Sequence, residues 1–175
     1  MKGILIIFFY SFSFVACSQQ LSEADKQSRQ KADNVAKSQL KEEIEGSTHI
    51  IFSVADKDFI ILVENTGSYR EYYIRSMDNG ETRILKDTTL NLSGELAKRM
   101  FDKTIYRDDF ITFDSDFFKP EYEASSGNIT YFVMKDKHGK RYGEARLSIF
   151  IKPNPIDSAV YSYLVERLLY YAKSM

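Results

Sequence analysis

The sequence predicts an α+β fold, in which an antiparallel sheet of about six or seven strands is covered on one face by helices and follows a polar helical tether. Three observations predict it. Short runs rich in β-branched and aromatic residues alternate with turn-forming residues through the middle of the chain. Asn79-Gly80 stands between two such runs, and this pair favours a hairpin because both residues tolerate positive φ. Near the end of the chain, apolar side chains recur at helical spacing.

Six strands and two helices can be placed along the domain. Turn residues around Asp56-Lys57-Asp58, Asn79-Gly80 and His138-Gly139-Lys140 separate the strands into hairpins, with expected ranges of 50–54, 59–63, 69–76, 82–86, 129–135 and 142–152. A helix is expected over 93–103, where Ser93 can cap its start. The last helix begins near Asn154-Pro155, and its predicted apolar stripe comprises Ile156, Ala159, Val160, Tyr163, Leu164, Leu168 and Tyr171.

The composition of residues 18–45 predicts a further helix, whose apolar stripe is narrower than that of the last helix. The stretch contains no Gly, Pro or aromatic residue, and a narrow stripe recurs at every fourth position: Ala32, Ala36, Leu40 and Ile44. Ser22 and Asp25 form a candidate capping pair, and Gly46 suits the helix end. We interpret the helix as a semi-rigid spacer, with a partner-binding helix as the alternative. The expected organisation is a signal segment at 1–16, a tether at 17–46 and a single domain at 47–175.

The first residues have the layout of a secretory signal. Lys2 supplies positive charge, and residues 4–14 form an apolar run. As a helix, residues 4–16 would span about 20 Å, which is less than the roughly 30 Å of a bilayer's hydrocarbon core. We therefore expect this segment to be cleaved rather than to cross a membrane. Cys17 follows it and is the chain's only cysteine, so an intramolecular disulfide cannot explain it.

The four residues Phe14-Val15-Ala16-Cys17 resemble the lipobox of bacterial lipoproteins, with Phe14 where leucine is usual. The resemblance covers the first 17 residues. It implies cleavage before Cys17, acylation of its sulfur, and a lipid anchor in the cell envelope. Ser18-Gln19-Gln20 lacks the aspartate that retains enteric lipoproteins in the inner membrane, so we expect the periplasmic face of the outer membrane.

Composition and motifs argue against catalysis. The net charge of −1 offers no general attraction to phosphate backbones, so nucleic acid is not expected as a partner. The sequence contains no glycine-rich phosphate loop, His-Glu-x-x-His helix, Gly-x-Ser-x-Gly elbow or paired Cys-x-x-Cys. His49 and His138, the only histidines, are not at metal-ligand spacing and are both expected to face solvent. We expect no catalytic residue, no metal and no cofactor.

The highest local concentration of charged residues is in one acidic segment. Its members are Asp108, Asp109, Asp114, Asp116, Glu121 and Glu123. A solvated loop is the favoured interpretation, while calcium binding or acid/base chemistry are the alternatives. The expected function is thus an envelope lipoprotein whose non-catalytic domain recognises a protein or glycan partner. The alternatives are an immunity or inhibitor lipoprotein that uses the acidic segment, and a carboxylate-dependent hydrolase.

Overall fold

The computed structural model describes residues 21–65, 68–92, 94–106, 129–148 and 156–174. Cys17 and the six residues of the acidic segment lie outside these ranges. The described elements, in chain order, are α1 (Glu23–Ile44), β1 (Thr48–Val54), β2 (Asp58–Asn65), β3 (Ser68–Ser76), β4 (Thr82–Leu90), α2 (Gly94–Phe101), a 3-10 turn (Lys103–Ile105), β5 (Ile129–Lys135), β6 (Arg141–Ser148) and α3 (Ser158–Lys173).

The six strands form one antiparallel sheet in the order β4-β3-β2-β1-β5-β6. The predicted α+β class is therefore confirmed. Strands β1 and β2 pair in a hairpin register that places Ile51 opposite Ile61, and β5 joins the other side of β1 with Val133 opposite Ile51. The predicted turn between β3 and β4 is present, with Gly80 at a φ of 84°.

Helices cover both faces of the sheet, so the expectation that they cover one face is wrong. One face buries Ile50, Phe52 and Tyr73 against α2 and α3. The opposite face buries Ile51 and Tyr72 under α1. The physical reason is that the central strands are apolar at successive positions, not at alternate ones, so both faces of the sheet need cover.

The stripe predicted for the last helix packs on the sheet through most of its members. Val160, Leu164, Leu168 and Tyr171 are buried, whereas Ala159 is exposed. Asp157 caps α3 by accepting hydrogen bonds from the backbone N–H groups of Ala159 and Val160.

Leu164→Ala is expected to lower the free energy of unfolding by about 2–5 kcal/mol, because Leu164 is fully buried and truncation leaves a cavity. Urea denaturation followed by circular dichroism measures the change. Leu169→Ala serves as the control, since Leu169 is on the same helix but 44% exposed. Equal denaturation midpoints for the two variants would contradict the packing of α3.

The helix predicted over residues 18–45 is present as α1, but it is not a spacer. Ser22 and Asp25 form the predicted capping box, and Gly46 follows the helix with a φ of 74°. The stripe residues Ala32 and Leu40 are 0% exposed and pack in the apolar cluster on the sheet. Because α1 shares this buried cluster with the strands, it is part of the domain.

Candidate functional site

A buried network of charged residues joins α1 to β5 and β6. Arg29 donates two hydrogen bonds to Glu144, at 2.8 and 2.7 Å, and the Tyr131 hydroxyl donates a third at 2.5 Å. Arg141 donates to both Tyr131 and Glu144 at 3.1 Å. Burial raises the pKa of Tyr131, and the neighbouring Glu144 charge raises it further, so its hydroxyl keeps its proton as a donor.

The network continues along the helix in both directions. Asp33 accepts hydrogen bonds from Lys135 and Arg141. At the start of α1, Ser28 donates to Asp56 at 2.8 Å and accepts from Arg146 at 3.1 Å. These polar groups of α1 satisfy one another and the strands, which explains how a helix with a narrow apolar stripe is held on the sheet.

A cleft of about 460 Å³ opens beyond the Asp33–Lys135 pair, at the end of α1. We call it the lysine cleft. Four lysines line it, together with a histidine and two apolar side chains: Lys37, Lys41, Lys135, Lys137, His49, Ala36 and Ile44. The residues come from α1, from β1, from the end of β5 and from the turn that follows it, so the cleft exists only because the helix packs on the sheet.

The unpaired charges of the lysine cleft are mostly positive. Lys37, Lys41 and Lys137 are exposed, and their ammonium groups have no hydrogen-bond or ion-pair partner among the described residues. The lining carboxylate Asp33 is occupied by Lys135 and Arg141, which leaves Glu45 as the unpaired carboxylate in the described lining. Three ammonium groups that have no partner among the described residues thus surround one concavity, an arrangement that favours an anionic ligand over a cationic one.

Asp136, which also lines the cleft, is occupied as well. It accepts hydrogen bonds from Lys103 at 3.1 Å and from the backbone N–H groups of His138 and Lys140. Burial opposes ionisation, but these hydrogen bonds lower the pKa of Asp136 to about 2. Its charge is therefore used to hold the β5–β6 turn.

His49 is a buried member of the cleft, at 5% exposed, so its predicted solvent-facing position is wrong. The alternation of β1 places its side chain on the α1 face. Its Nδ1 lies 3.1 Å from the Ser47 carbonyl oxygen, which can only accept; Nδ1 therefore carries the hydrogen and Nε2 has no partner among the described residues. Burial lowers the pKa of His49, and the nearby Lys135 lowers it further, so the ring is neutral at pH 7. His138 is exposed, as predicted.

Sequence reasoning did not single out the lysines of this cleft. Lys37 and Lys41 are four positions apart, a spacing that places them on one face of a helix and is a signal that the sequence contains. Nothing in the sequence connects them with Lys137, which the β5–β6 hairpin brings to the same place.

A second concavity of about 420 Å³ lies between α1 and the β3–β4 turn. Its polar lining is largely uncharged and includes Gln27, Gln30, Asn34, Ser38 and Thr82. Within the described ranges, no group of three His, Cys, Asp or Glu residues is placed to hold a metal ion. No helix in those ranges combines the length and apolar character needed to cross a membrane.

Comparison with known proteins found no matching family model, no matching curated protein and no matching solved structure.

Proposed function

We propose that this chain is an envelope lipoprotein, anchored by lipid on Cys17, whose non-catalytic domain recognises a protein or glycan partner through the lysine cleft. The observation that carries the proposal is the set of three unpaired ammonium groups, on Lys37, Lys41 and Lys137, around one concavity. An acidic group of a partner would complete the charge pairing that the described residues leave open. The proposed location is the periplasmic face of the outer membrane.

The packing of α1 supports this arrangement. Because α1 begins at Glu23, the chain between Cys17 and the helix can reach at most about 20 Å. The continuous helical part of α1 before a kink at Leu40 then spans about 25 Å. A lipid on Cys17 would therefore hold the start of α1 near the bilayer, and the lysine cleft lies at the opposite end of the helix, where a partner can approach it.

The decisive test removes the three charges without changing the fold. In the triple variant Lys37→Gln, Lys41→Gln, Lys137→Gln, we expect affinity for poly-L-glutamate or for polygalacturonate to fall about tenfold or more, equivalent to about 1.4 kcal/mol. Isothermal titration calorimetry measures the affinity. The ionic strength is kept fixed because salt screens contacts between charged groups. Neutral dextran should not bind.

The matched control is Lys86→Gln, Lys98→Gln, Lys173→Gln, which removes the same charge from exposed lysines outside the cleft. We expect it to retain most of the affinity. If both triple variants lost affinity equally, the attraction would come from overall charge and not from the cleft. If the wild-type domain bound neither polyanion, the proposed recognition site would be wrong.

The immunity or inhibitor function and the carboxylate-dependent hydrolase depend on the acidic segment. That segment lies outside the described residues, and both alternatives stay predictions from the sequence.

A further inference from the structure

We infer that the lysine cleft takes a protein segment in which a carboxylate side chain stands beside an aliphatic one, in preference to an acidic glycan. This inference rests on the proposed function and names the class of its partner. It follows from the apolar lining, the size of the cleft and the buried histidine.

The cleft combines an apolar lining with positive charge. Ile44 is half-buried and lines the cleft, and the aliphatic stems of the exposed residues Lys37 and Lys41 supply further apolar atoms to the lining. An acidic glycan carries hydroxyl groups beside its carboxylates, and placing hydroxyls on an apolar lining without partners costs free energy. An aliphatic side chain next to a glutamate or aspartate can cover the apolar part while its carboxylate meets the lysines.

The size of the cleft favours a short segment. Its volume of about 460 Å³ is in the lower part of the range for small-molecule sites, roughly 300–1,000 Å³. This is room for a few side chains of one segment. The ammonium groups come from α1 and from the β5–β6 turn, so they would contact such a segment from two sides.

His49 adds a dependence on pH. The charged groups nearest to it are Lys135 on β5, Asp33 on α1 and Arg141 on β6, and the cleft contributes Lys37, Lys41, Glu45, Asp136 and Lys137. A carboxylate that enters beside these lysines stabilises the protonated ring and raises the pKa of His49 from its lowered value. Binding would then take up a proton, so the affinity rises as the pH falls from 8 to 6. The ligand's carboxylate remains ionised in this range.

Three probes of matched charge test the inference on the wild-type protein. Two are capped hexapeptides that each carry two glutamates, with isoleucine beside each glutamate in one and serine in the other; the third is a digalacturonate. We expect the isoleucine peptide to bind about tenfold tighter than either of the others. Equal affinity for both peptides, or tighter binding of the digalacturonate, would overturn the inference while leaving the proposed function in place. If none of the three probes bound, and neither poly-L-glutamate nor polygalacturonate bound, the proposed function itself would be overturned.

Two variants connect the preference to named side chains. In Ile44→Ser, the ratio of the affinities for the isoleucine and the serine peptide should fall from about tenfold to near one, whatever the absolute affinities become. An unchanged circular dichroism spectrum is the check on folding. In His49→Gln, the ratio of the affinity at pH 6 to the affinity at pH 8 should fall to about one, in contrast to the severalfold ratio of the wild type. A wild-type affinity for the isoleucine peptide that did not rise between pH 8 and pH 6 would overturn the role assigned to His49.

Discussion

Ala32→Asp is expected to detach α1 from the sheet and to lower the free energy of unfolding by about 3 kcal/mol or more. Ala32 is fully buried in the cluster that α1 forms with the sheet. A carboxylate at this position would lose its hydration inside an apolar contact, which is among the largest penalties that one substitution imposes. Urea denaturation monitored by circular dichroism measures the loss.

Asn34→Asp is the matched control, because it introduces the same side chain on the same helix at an exposed position. We expect it to change stability by less than about 0.5 kcal/mol. The comparison also separates the two interpretations of this helix. If α1 were a spacer, both variants would unfold at the same urea concentration; a large difference between them is expected only for a packed helix.

Detachment should also abolish the lysine cleft. Lys37, Lys41 and Ala36 are carried on α1, whereas Lys135 and Lys137 belong to the end of β5 and the turn that follows it. In Ala32→Asp protein that still contains a folded sheet, affinity for poly-L-glutamate is therefore expected to fall with the loss of helix packing. The calorimetric titration used for the lysine variants measures this as well.

Cys17→Ala is expected to abolish lipid labelling of the chain completely and to leave its signal segment uncleaved by lipoprotein signal peptidase. The sulfur of Cys17 is the only thiol in the sequence, so no other side chain can accept a thioether-linked acyl group. Two acyl chains would contribute on the order of 20 kcal/mol to membrane binding, which would make the proposed anchor effectively permanent. Metabolic labelling with a fatty acid, followed by membrane fractionation, measures both consequences.

Cys17→Ser is a useful companion, because serine is nearly the same size and cannot form the thioether. It should behave like Cys17→Ala in labelling, and neither substitution should shift the urea midpoint of the domain, which begins beyond this residue. Recovery of unlabelled wild-type protein in the soluble periplasm would show that the chain is an ordinary secreted protein and that the lipobox resemblance is incidental.

Local patterns predicted much of the fold. The hairpin at Asn79-Gly80 and the capping pair of Ser22 and Asp25 appear where the sequence places them, because both depend on backbone preferences of neighbouring residues. The stripe of α3 was predicted through Leu164 and Leu168, since helical periodicity alone sets which side chains face the sheet. The candidate cleft was not predicted, because its lysines come from segments about 100 residues apart.

The sequence by itself determined the α+β class, the main secondary-structure elements of the described ranges, and the lipobox resemblance at Cys17 that underlies the proposed anchor. Only the tertiary structure decided that α1 belongs to the domain. The narrow apolar stripe predicts either a spacer or a partner-binding helix, whereas long-range partners such as Glu144 for Arg29 hold α1 on the sheet of its own domain. The same packing buries His49 and brings Lys37 and Lys137 to one cleft, because side chains distant in sequence become neighbours only when the helix covers the sheet.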